Sequence, residues 1–143
     1  MIDAERVADV LGGEKLLGEH VHTLAKLNEL VMRGLPKSSL RFAAERVSRT
    51  SAEARNLVYR VVPESTYKRR KRLSPAESER SERLARTIAL AEFTWGNNEA
   101  AHAWLNDANR HLGNKTPIEA AETDLGARQV EEILFRAIYG LPA

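Results

Sequence analysis

Apolar positions recur at helical spacing along almost the whole chain, and the strict alternation of apolar and polar residues that marks a half-buried strand is scarce. The pattern predicts an all-α fold. Its clearest element opens at Ser74-Pro75-Ala76-Glu77: Ser74 caps, Pro75 takes the first helical position, where an N–H would lack a partner anyway, and Glu77 reaches back to the cap amide. Leu84, Ile88, Ala91 and Trp95 then share one face, and Gly96 supplies a left-handed stop. Asn98 is the expected cap of a short helix running through Trp104 and Leu105. The same cap chemistry recurs at Thr116-Pro117-Ile118-Glu119, and a last helix from about Asp124 puts Val130, Ile133, Leu134, Ala137 and Ile138 on one side before Gly140. Between these helices, 106–115 is rich in turn formers and reads as a loop.

Upstream, Ala4 to Leu11 reads as a short helix ended by Gly12-Gly13. An amphipathic helix carrying Leu24, Leu27, Leu30 and Val31 stops near Gly34-Leu35-Pro36, and Ser38 or Ser39 is the expected cap of the next, with Leu40, Ala43, Ala44 and Val47 inward. Thr50-Ser51-Ala52-Glu53 has the capping-box pattern and opens a helix through Leu57 and Val58 to Val61. A turn near Val62 and a restart at Pro63, running to Arg72, complete a helix-turn-helix. On that second helix Ser65, Lys68, Arg69 and Arg72 fall on one face, while Tyr67 points inward. Such a face suits a major groove: arginine matches guanine O6 and N7, lysine and serine match phosphates, and the run 68–72 adds counterion release.

Composition sharpens this division. Of 143 residues, 22 are Lys or Arg, 20 are Asp or Glu, 43% are hydrophobic and none is Cys, as in an ordinary globular protein of one or two small domains. No disulfide framework, thiolate zinc cluster or cysteine nucleophile is available. Residues 41–72 hold 10 basic and 3 acidic side chains, whereas residues 73–143 hold 7 and 11. A domain of residues 1–72 binding a polyanion and a domain of residues 73–143 with a different task are the expectation. The apolar runs are too short for a membrane span, and the first residues lack the layout of a signal peptide, so a cytoplasmic protein without membrane contact is expected.

Catalytic motifs are missing: there is no His-Glu-x-x-His, no phosphate-cradling glycine loop and no Gly-x-Ser-x-Gly. His20 and His22 would point to different faces of a helix, His102 and His111 stand isolated, and Glu131-Glu132 reads as a solvated face. The chain is therefore expected to be no enzyme and to need neither cofactor nor metal. Phe93, Trp95, Trp104, Phe135 and Tyr139 read as a small core, leaving Leu141-Pro142-Ala143 as an apolar tail that a partner protein would cover.

Over nearly its whole length the chain resembles the antitoxins in which an Xre-like helix-turn-helix precedes an MbcA/ParS/Xre-type toxin-binding domain. The resemblance is densest in the last third: Trp95-Gly96, Ala103-Trp104-Leu105, Asn109, Leu112-Gly113, Thr116-Pro117, Glu119, Thr123, Gly126-Ala127-Arg128, Val130, Leu134 and Tyr139-Gly140 follow the family's order. Gly34-Leu35-Pro36 and Leu73-Ser74-Pro75 match further landmarks, while bulkier residues such as Val61 replace the small residue and glycine expected in the helix-turn-helix. The resemblance implies a homodimer that binds its own operator DNA and neutralises a RES-domain toxin, an NAD-consuming enzyme of ADP-ribosyltransferase-like fold. A plain transcriptional regulator without a toxin stays open as the alternative, as does a small enzyme using a histidine and a carboxylate. Under the family reading Ser65, Lys68, Arg69 and Arg72 face DNA. Tyr139, Gly140, Leu141, Pro142 and Ala143 project toward the toxin from the last helix, with the 106–115 loop as the other choice. The Leu84, Ile88, Ala91 and Trp95 stripe serves either a dimer contact or the core.

Overall fold

Side-chain caps decide where most of the helices begin. The structure, a computed structural model, describes residues 2–140 and is all-helical. Asp3 opens α1 (Ala4–Val10), and Gly12, at φ 103°, both ends that helix and starts the short α2 (Gly13–Leu17). Gly12-Gly13 is thus a joint between two helices and not only the stop that a glycine pair suggests. Thr23 caps α3 (Leu24–Arg33), and α4 (Lys37–Val47) follows from Pro36 with no side-chain cap. Neither Ser38 nor Ser39 caps, because Pro36 already turns the chain and carries Ser39 into the interior, where it is fully buried.

The expected helix-turn-helix is α5 (Ser51–Val61), capped by Thr50, and α6 (Glu64–Arg69). Pro63 stands just before α6, which ends at Arg69, three residues earlier than the sequence suggests. Ser74 and Glu77 form a full capping box at the head of α7 (Pro75–Trp95), and Gly96 ends it in the left-handed region. Asn97 caps α8 (Asn98–Asn106), one residue before the expected position. Within the loop that follows, a 3-10 turn covers Arg110–Leu112 and a bridge pairs Asn109 with Lys115. Thr116 and Glu119 form the second full capping box, on α9 (Pro117–Ala120), and Thr123 caps α10 (Asp124–Ile138).

The packing is organised around α7. It touches α1, α3, α4 and α5 of the first half of the chain, and α8 and α10 of the second. Leu84, Ile88 and Ala91 are buried at 4% exposure or less, so the stripe serves the core of its own chain and only Trp95 at its end reaches solvent. Leu11, Leu35, Leu40, Leu105 and Leu134 complete a continuous apolar interior. Each such side chain contributes about 1.5–3 kcal/mol by leaving water. The aromatic core expected in the last third is not there: Phe93, Trp95, Phe135 and Tyr139 are all close to half exposed or more, and only Trp104 packs partly against the interior. Aliphatic residues do that work instead, since α10 turns Ala127, Val130 and Leu134 inward together with Gly126. Among the described residues, no helix is long and apolar enough to cross a membrane.

Candidate functional site

The second helix of the helix-turn-helix is held by its one aromatic residue. Tyr67 is 7% exposed, donates its hydroxyl to the Lys37 carbonyl at 3.2 Å and meets Tyr59 edge-on. Lys37 answers by bonding the Tyr67 carbonyl at 3.3 Å, and burial pushes the phenol's pKa up. With Tyr67 inward, Ser65, Lys68 and Arg69 stand outward, as the spacing predicts.

Arg72 does not join them. The chain leaves helical geometry at Arg70, and Arg72 pairs with Pro36 in an antiparallel bridge while its guanidinium donates to the Gly34 carbonyl at 2.7 Å. Leu73 bonds the Leu35 carbonyl at 2.8 Å, and Ser78 accepts from the Leu35 N–H, so the turn before α4 and the start of α7 are stitched together. Arg70 is drawn inward to Glu77, the capping carboxylate of α7, at 3.2 Å. Burial works against that charge, but the Ser74 amide and Arg70 outweigh it and hold the Glu77 carboxyl below the usual range. Lys68 lies 2.9 Å from Glu64 one turn back. Three of the five basic side chains in 68–72 thus have partners within the protein. Arg69 and Lys71, both exposed, have no ion-pair partner among the described residues. The charge pattern could not separate the two kinds, because Arg70 finds its acceptor across the break between α6 and α7 and Arg72 finds one in the turn before α4.

In the second half of the chain, α10 carries apolar side chains outside its buried face as well as on it. Its inner face is the core just described; its outer face carries Leu125, Phe135, Ile138 and Tyr139, exposed at 70%, 49%, 39% and 61%. Phe135 and Tyr139 lie one turn apart with ring centroids at 4.6 Å, forming a solvent-facing aromatic step at the helix end. Tyr139 and Gly140 close the described chain there, Gly140 at φ 62°, whereas Leu141, Pro142 and Ala143 lie outside the described residues. Of the expected inward stripe, Val130 and Leu134 are buried and Ile133 is half-buried, whereas Ala137 and Ile138 are exposed.

Histidine placement also differs from expectation. His102 is not isolated: its Nε2 lies 2.6 Å from Glu92, which also accepts two bonds from Arg46 at 2.7 and 2.8 Å. Burial would raise the Glu92 pKa, but Arg46 and His102 outweigh it and hold the carboxyl below the ordinary glutamate range. Both carboxylate oxygens are therefore occupied, which makes the His–Glu pair a structural tie joining α4, α7 and α8. His20 and His22 lie on no helix at all; they occupy the segment between α2 and α3.

Two family models match the chain. Residues 26–86 match the antitoxin Xre-like helix-turn-helix domain, and residues 90–140 match the antitoxin Xre/MbcA/ParS C-terminal toxin-binding domain. The first span contains α5, α6 and the stitched turn; the second contains α8 to α10 and the aromatic step. No curated protein matches the sequence.

Proposed function

Because the chain belongs to the Xre/MbcA/ParS-type antitoxins, with both the DNA-binding and the toxin-binding module in one polypeptide, we propose that it neutralises a RES-domain, NAD-consuming toxin by occluding its active site, and that as a homodimer it binds its own operator to limit transcription. Residues 1–72 carry the DNA function in this reading and residues 73–143 the toxin function. The observation that carries it is the exposed end of α10: a solvent-facing aromatic step and neighbouring aliphatic side chains, inside the matched toxin-binding span.

Exposed aromatic anchors on a rigid helix are the residue types that dominate protein interfaces, and ordering them costs little. The toxin must offer an electropositive pocket to the NAD pyrophosphate, and residues 73–143, with 11 acidic against 7 basic side chains, complement it in sign. Tyr139, Gly140 and the residues 141–143 form the plug. On the DNA side Arg69 reads a guanine edge, with Ser65 and Lys68 on phosphate. Arg72, tied to Gly34, has a positioning role: it keeps α6 seated against the turn before α4.

Co-expression with the product of the neighbouring reading frame tests this. Deleting residues 140–143 should leave helicity and operator retention intact but release toxicity, and Tyr139→Ala should weaken the complex by about 2 kcal/mol or more. If the truncated chain still protects cells and still co-purifies with the toxin, the plug lies elsewhere, first in the 106–115 loop. Absence of any toxic neighbour would leave a regulator alone.

A further inference from the structure

His20 and His22, two apart in sequence, are brought to one side of the chain by the non-helical stretch between α2 and α3. The middle residue, Val21, is the one that enters the core, at 4% exposure, while the histidines on either side of it are exposed. Both imidazoles consequently face out, with ring centroids 4.1 Å apart. Glu5 of α1 reaches to 3.6 Å from His22 Nδ1, and Glu14 of α2 lies 3.2 Å from His20 Nδ1. One donor atom from each of Glu5, His20 and His22 falls within 4.8 Å of the others. All of these residues precede residue 26, where the first matched family domain begins, so neither module accounts for them.

We propose that Glu5, His20 and His22 form a binding site for a divalent transition-metal ion of the zinc type. Two imidazoles and one carboxylate are a donor set suited to zinc, with a fourth position for water, and they disfavour calcium or magnesium, which take oxygen ligands. Metal–ligand bonds of about 2.0–2.1 Å place tetrahedral donors roughly 3.4 Å apart, so the present spread must close by a little over 1 Å. The side chains are 52% to 66% exposed and can close it by rotation alone, since Val21 holds the backbone. Glu14, engaging His20 Nδ1, leaves Nε2 as the free ring nitrogen and fixes the ring's orientation, the role an outer carboxylate plays behind a ligating histidine. A bound ion would tie α1 to the stretch that leads into α3, stabilising the folded chain over the unfolded one.

The test uses the full chain, stripped with a chelator and titrated with zinc chloride by calorimetry, with thermal unfolding followed in parallel. One zinc per chain and a Tm that rises with zinc concentration are expected. His20→Ala and His22→Ala should each weaken uptake more than tenfold, and Glu14→Gln about tenfold. His111→Ala, an exposed histidine outside the cluster, should bind like the wild type. Because the cluster is exposed, the circular dichroism of the apo variants should match that of the wild type. The site is overturned if zinc uptake does not saturate, if the His20→Ala/His22→Ala double variant binds like the wild type, or if His111→Ala costs as much as His22→Ala.

Discussion

A methyl group added at Gly126 would stand 1.8 Å from the Ala120 carbonyl oxygen, backbone against backbone, with no flexible side chain able to give way. Gly126→Ala is therefore expected to cost about 1–3 kcal/mol of stability in denaturant unfolding, by pushing the first turn of α10 off α9. At Gly34 the added carbon would meet the Leu73 carbonyl oxygen at 2.2 Å and would also demand a side chain at φ 96°, so that substitution should be the worse of the two. Glu92 makes a different kind of prediction. Its carboxyl is held below its unfolded value chiefly against burial, by Arg46 and His102. The stability it contributes is therefore complete above about pH 4.5 and is lost as the pH falls through its depressed folded value. Glu92→Gln should destabilise at neutral pH by about 1–3 kcal/mol and flatten the acid limb of a stability-against-pH curve. A variant as acid-sensitive as the wild type would contradict this. At this scale the caps at Thr50, Ser74 and Thr116 were legible, because their partners lie three residues away; the partners of Arg72, His102 and Glu92 were not, because they lie 10 to 46 residues away.

Between elements, α6 and α10 show where periodicity stops being enough. The sequence carries the helical face of α6 on to Arg72, but Arg70 is bound to Glu77 and Arg72 to Gly34, and these tertiary bonds end the helix at Arg69. Two neighbouring arginines should then respond in opposite ways. Arg69→Ala is expected to lower operator affinity by about 1–3 kcal/mol with unfolding unchanged, as a gel-shift titration would read. Arg70→Ala should mainly lower stability, by leaving the buried Glu77 carboxylate without its cationic partner. Lys71→Ala should leave sequence preference alone and reduce the salt slope by about one. On α10 the inner stripe was readable, yet the outer aromatic step was not: an apolar residue looks the same in a sequence whether it packs on its own chain or waits for another. The stretch holding His20 and His22 was misread for a simpler reason, since nothing local says that the chain there leaves the helix.

On the scale of the whole molecule, the change of charge at residue 73 marks a change of surface, not a break in packing. The helix that begins just after it packs against elements of both halves, and Arg46–Glu92–His102, Arg60–Glu122 and Asn106–Val47 bonds fasten the halves to each other. Calorimetric unfolding should accordingly show one transition for both halves. Light scattering should find a dimer; since the Leu84, Ile88 and Ala91 stripe is spent on the core, its contact must use other surface, and a monomer at micromolar concentration would remove the dimer. The shared helix α7 also sets how the chain ages in a cell. A protease that opens either half removes the inner wall of the other, so there is one lifetime where two modules in tandem would have two. Limited digestion should pass from full-length chain to short peptides, with no fragment of about residues 73–143 accumulating in between.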